Sequence, residues 1–131
     1  MFERAELQIL KKRINEPRKF IQVVMGPRQV GKTTMVNQLC QKIETPYIVQ
    51  SADAIAAGNS AWLEQIWESA RLKVKTSSAS ELLLIIDEIQ KISNWSETIK
   101  KLWDEDSLNN IPVKVILLGS SRLLLQQGLT E

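Results

Sequence analysis

Residues 26–33 read Gly26-Pro27-Arg28-Gln29-Val30-Gly31-Lys32-Thr33, and residues 82–88 read Leu82-Leu83-Leu84-Ile85-Ile86-Asp87-Glu88. The first stretch has the spacing G-x-x-x-x-G-K-[ST]. At average residue usage that spacing arises by chance in roughly one chain in two hundred of this length, so its context has to support it. Upstream, residues 20–25 (FIQVVM) are a short apolar, β-branched run that stops at a Gly-Pro pair, as a strand feeding a loop does. Downstream, over residues 31–43, Met35, Val36, Leu39, Cys40 and Ile43 recur at three- and four-residue spacing, which predicts an amphipathic helix broken by Thr45-Pro46. Between a strand and a helix, the glycines let backbone N–H groups converge on an anion, and the helix start adds its positive dipole end. Lys32 can then reach the β- and γ-phosphates of a nucleotide, and the Thr33 hydroxyl can ligate Mg²⁺. The candidate nucleotide-binding residues are Gly26, Pro27, Arg28, Gln29, Val30, Gly31, Lys32, Thr33 and Thr34. Arg28 and Gln29 read as surface loop residues, with a phosphate or neighbouring-subunit contact as the alternative.

The second stretch is a continuous apolar run of strand length, the pattern of a strand buried on both faces of a parallel sheet, and it ends in two acids. In open α/β sheets ligands bind beyond the carboxyl ends of the strands, so the glycine-rich loop and Asp87 can converge although far apart in sequence. Asp87 would hold Mg²⁺, directly or through water, and Glu88 would polarise an attacking water. Standing alone, the pair would read equally well as an acidic helix start. A third polar element, Ser120 or Ser121 after residues 113–118 (VKVILL), could hydrogen-bond a γ-phosphate or the water, or could cap a helix.

The other elements alternate. A loosely amphipathic helix carries Phe2, Leu7, Leu10 and Ile14; residues 47–50 (YIVQ) form a strand; Trp62, Leu63, Ile66, Trp67 and Ala70 lie on one side of a helix. A further helix starts near Asn94 or Trp95 and places Trp95, Ile99, Leu102 and Trp103 in one stripe, leaving Glu97, Lys100, Lys101 and Asp104 for solvent. Residues 122–126 can start a last helix. The tryptophans read as core rather than as stacking platforms. Strands alternating with helices at this spacing need crossovers, which predicts a mainly parallel sheet with helices on both faces.

Composition narrows the chemistry. The 131 residues are 44% hydrophobic and 24% charged, ordinary for one globular domain. With no histidine, His-based metal sites and Ser-His-Asp or Cys-His catalysis are excluded. Cys40 has no intrachain partner and reads as a small buried hydrophobe, which suits a reducing, cytoplasmic setting. No apolar run approaches the ~20 residues a membrane helix needs. A net charge of +2 is too mild to argue for nucleic acid, and the cluster Lys11, Lys12, Arg13, Arg18 and Lys19 reads as a solvated helix end without interleaved aromatics.

Taken together, GPRQVGKTT, then LLLIIDEIQ, then VILLGSSRLLLQQGL closely resemble a widespread group of prokaryotic AAA+-type ATPases, in which a P-loop domain precedes a C-terminal domain of uncertain function. The resemblance runs over nearly the whole chain. It implies a three-layer α/β P-loop fold of the additional-strand type with strand order 5-1-4-3-2. It also implies ATP as nucleotide and roles for Lys32, Thr33, Asp87, Glu88 and a Ser120/Ser121 sensor. Members of the group continue past residue 131 through a fifth strand, a candidate arginine finger, a helical lid and the extra domain. Residues 1–131 are therefore expected to be an incomplete nucleotide-binding core, weakly active or inactive in hydrolysis by itself, whose parent protein couples ATP hydrolysis to conformational change. A nucleotide-dependent switch or interaction module with little hydrolysis is the non-enzymatic alternative. A small-molecule kinase is another, disfavoured because tandem Asp87-Glu88 suits activating water better than positioning an acceptor. The strand order also leaves the outer edge of strand 20–25 unpaired, so self-association is expected, and a protein partner of unstated kind is compatible with it.

Overall fold

Five consecutive apolar residues, Leu82 to Ile86, are each at most 1% exposed in the computed structural model, which describes residues 11–12, 16, 18–26, 32–54, 60–77 and 81–120. A strand can bury both faces only inside a sheet with helices above and below, and the remaining elements supply that setting. In chain order they are β1 (Gln22–Gly26), α1 (Lys32–Lys42), β2 (Tyr47–Ser51), a 3₁₀ turn (Ala52–Ala54), α2 (Ser60–Thr76), β3 (Leu82–Asp87), a second 3₁₀ turn (Ile89–Lys91), α3 (Trp95–Asn109) and β4 (Val113–Ser120). The four described strands are all parallel, in the order β1-β4-β3-β2. That is the expected mainly parallel α/β sheet.

The period-two alternation of the strands splits the core into two layers. Leu82, Leu84, Ile86, Val113, Val115 and Leu117 face Leu63, Trp67 and Ala70 of α2 and Trp95, Ile99 and Leu102 of α3. On the other side Val24, Leu83, Ile85, Ile116 and Leu118 pack on Val36, Leu39 and Cys40 of α1. Each fully buried aliphatic side chain contributes roughly 1.5–3 kcal/mol, so β3 alone is a large share of the folding free energy. Among the described residues α1 is the helix on this face, where it carries the chain across from β1 at one edge of the described sheet to β2 at the other.

Polar groups tie α2 to α3 on their shared side of the sheet. Asp106 is fully buried between α2 and α3, where its carboxylate accepts from Trp67 Nε1 at 2.7 Å and Arg71 Nε at 2.6 Å. Arg71 also donates to the Leu102 carbonyl and to Glu105, each at 3.1 Å. Burial lowers the Arg71 pKa, but Asp106 and Glu105 outweigh it and leave it raised. Asn110, in the left-handed region at φ 57°, ends α3, and the N–H groups of Asn110 and Ile111 both return to the Asp106 carbonyl.

Some expectations shift. β1 starts at Gln22 rather than Phe20, because β4 offers partners only from Ile116 onward to it, and Phe20 stands 63% exposed. β4 runs two residues past Leu118 to Ser120. Arg18 is no solvated helix end: it lies 3.5 Å over the Trp103 ring and donates to the carbonyls of Val113 and Trp103 and to Ser107 Oγ. Burial pulls its pKa down, partly offset by Asp106 and Asp104. The tryptophans do sit in the core, with Trp67 and Trp95 fully buried and Trp62 and Trp103 half-buried. Most of the first predicted helix, with Phe2, Leu7, Leu10, Arg13 and Ile14, and all of residues 122–126 lie outside the described residues.

Candidate functional site

Parallel strands put all their carboxyl ends on one rim of the sheet. Gly26, the last residue of β1, is in register with Ser120, the last of β4, and Ser51 of β2 is in register with Asp87 of β3. Since β4 pairs with β1 on one side and β3 on the other, the tips carrying Gly26, Ser120 and Asp87 are consecutive along the rim. In chain order α1 is the next described element after β1, starting at Lys32. It carries no acidic residue in its first turn, so the positive end of its dipole meets no carboxylate of its own.

The candidate residues therefore divide. Gly26, Asp87, Glu88 and Ser120 lie at the tips of three adjacent strands, and Lys32, Thr33 and Thr34 form the first turn of α1. Pro27, Arg28, Gln29, Val30, Gly31 and Ser121 lie outside the described residues. Cys40 is buried against the sheet, and that burial pushes its thiol pKa up, which fits the core reading.

The acidic tip has a definite geometry. Asp87 is half-buried, and its Oδ1 accepts the backbone N–H of Glu88 at 2.8 Å. Glu88 has φ 56° and ψ 42°, the left-handed region that a residue with a β-carbon occupies at a cost of roughly 1–2 kcal/mol. The left-handed turn takes the chain out of the strand and into the 3₁₀ turn, which Ile89 and Ile92, both at most 1% exposed, anchor in the core. Hydrogen bonds from Lys91 N–H to the Glu88 carbonyl and from Ile92 N–H to the Ile89 carbonyl, both 3.1 Å, close it. Gln90, 4% exposed, donates its side-chain amide to Glu88 Oε1 at 2.7 Å. An ion pair between Lys91 and Asp53 joins this turn to the one after β2.

Half-buried Asp87 offers a hard carboxylate oxygen at a strand tip, the donor type Mg²⁺ takes when phosphate oxygens supply other positions. The residues present thus suit an anion at the start of α1 and a cation beside Asp87. Sequence reasoning missed Gln90, since a 3₁₀ turn of three residues has no periodicity to reveal which of its side chains is buried.

Among the described residues, no helix is long and apolar enough to cross a membrane. A family model described as an AAA domain matches residues 18–131. No curated protein matches the chain by sequence.

Proposed function

The chain belongs to the AAA domain family, and from that premise we propose that it binds ATP or ADP with Mg²⁺ across the tips of β1, β4 and β3, and that ATP hydrolysis there drives a conformational change. The observation that supports this most is that the tips of β1, β4 and β3, which carry Gly26, Ser120 and Asp87, are consecutive on one rim of the sheet. Backbone N–H groups of residues 26–31 cradle the phosphates, and Lys32 places a point charge on the β- and γ-phosphates. Thr33 and Asp87 would hold Mg²⁺, which when bound neutralises phosphate charge. Glu88 accepts a proton from water as the water oxygen bonds to the γ-phosphorus and the bond to the bridging oxygen breaks, releasing ADP and inorganic phosphate. Ser120, the last residue of β4, or Ser121, the next in the chain, hydrogen-bonds the γ-phosphate or the water.

Calorimetry on Lys32→Ala tests the cradle. Loss of a charge-assisted contact of about 1.5–3 kcal/mol should weaken nucleotide binding roughly 10- to 100-fold. Equal affinity in wild type and variant would remove the reading.

The domain reading extends to assembly: residues 1–131 act as one nucleotide-binding unit that self-associates. What supports this is the β1 edge, which among the described residues has a neighbour on one side only. Beside it Ile21, Val23, Trp95, Ile99, Trp103 and Leu117 line a groove of about 440 Å³. The indole N–H of Trp95 is buried there with no hydrogen-bond partner among the described residues.

A further inference from the structure

A glutamate side chain has three rotatable bonds, and a carboxylate that must receive a proton at one point in space gains from being held before the reaction starts. At the tip of β3 the backbone of Glu88 is fixed by the bond from its N–H to Asp87 Oδ1 at 2.8 Å and by its left-handed dihedrals. Its carboxylate is gripped at 2.7 Å by Gln90. The gripping group is rigid in turn, because Gln90 is 4% exposed on a turn whose neighbours Ile89 and Ile92 are sunk in the core. The donor is a neutral amide. It directs one carboxylate oxygen without setting a full positive charge beside it, and it takes up one of about four acceptor sites on the carboxylate.

We propose that Gln90 is the positioning residue for the Glu88 carboxylate, aiming it at the water that attacks the γ-phosphate. This rests on the reading of Glu88 as proton acceptor. As a positioning residue Gln90 acts on the reaction through the Glu88 carboxylate it holds, and that makes a specific demand on mutant kinetics. Removing the amide should matter only while residue 88 is an acid.

The test is a double-mutant cycle on the 131-residue chain, read by single-turnover ATP hydrolysis with calorimetry and thermal melts alongside. Gln90→Met keeps the buried volume and deletes the donor. Its hydrolysis rate should fall roughly 10- to 100-fold, the scale of a misplaced catalytic group, with Mg-ATP affinity changed less than about twofold. In a Glu88→Gln background the same change should alter the residual rate by less than about twofold. Gln90→Asn keeps an amide in the site but withdraws it by one methylene, and should give the same pattern if Gln90→Met does not fold. Equal slowing in both backgrounds would make Gln90 a structural residue and overturn the proposal, as would an unchanged rate in the Glu88 background. A wild type that binds no nucleotide, or Glu88→Gln that hydrolyses normally, would instead defeat the functional reading and this inference with it.

Discussion

Replacing Asp106 by alanine should destabilise the domain far more than any other single acidic substitution in α3. The carboxylate is fully buried and serves two donors. Without it, the Trp67 indole N–H is left in the core with no acceptor, which costs roughly 1–3 kcal/mol. The Arg71 guanidinium, whose side chain is 14% exposed, keeps Glu105 and the Leu102 carbonyl but loses its shortest contact. Breaking a buried pair from one side costs about 3–5 kcal/mol, and the two losses overlap, so about 3–5 kcal/mol is expected overall. With a urea dependence of roughly 1.5 kcal/mol per molar, the unfolding midpoint followed by circular dichroism should drop about 2–3 M at unchanged slope. Asp104→Ala is the control, since its pair with Lys100 is exposed on both sides and should move the midpoint little. Replacing both partners, as Arg71→Met with Asp106→Leu, should recover the part of the loss that comes from the orphaned charge but not the part from Trp67, whose indole N–H still lacks its acceptor. A drop no larger than that of Asp104→Ala would refute the buried-acceptor argument.

Two other outcomes follow from the site and the sheet edge. Glu88→Gln should leave nucleotide affinity nearly unchanged while cutting single-turnover hydrolysis by roughly 10²-fold or more, whereas Asp87→Asn should also weaken Mg²⁺-dependent binding; equal loss of binding in both would overturn the division of roles. A lysine at Val23, on the exposed β1 edge, should shift the chain toward monomer in light scattering, and a wild type already monomeric at high concentration would dispose of the self-association proposal.

Much of this molecule is legible in its residues. The apolar run of β3 and the stripes of α1, α2 and α3 announce their burial by period, and the alternation of strand and helix announces a parallel sheet. What escapes is polar. Asp106 continues the stripe Trp95, Ile99, Leu102 by one further turn, so its position on the buried face was readable; only its charge, in the run Asp104-Glu105-Asp106, argued for solvent. Arg18 gave no comparable sign, because its partners Trp103, Ser107 and Val113 lie 85 to 95 positions away in the chain. Glu88 stands out as a candidate from its place after Asp87, but its left-handed backbone and the grip of Gln90 are properties of the turn that carries it.

The left-handed backbone at Glu88 sets two selective pressures against each other. For folding alone, position 88 prefers glycine, which adopts those dihedrals without the steric cost of a β-carbon. A library of variants sorted for thermal survival should therefore drift toward glycine or asparagine there, while one sorted for nucleotide turnover should hold the glutamate. A lineage that keeps an acid at this corner bears a standing disadvantage in stability, and the sites where it can be offset are the distant ones, such as the strand interiors and the acid between α2 and α3.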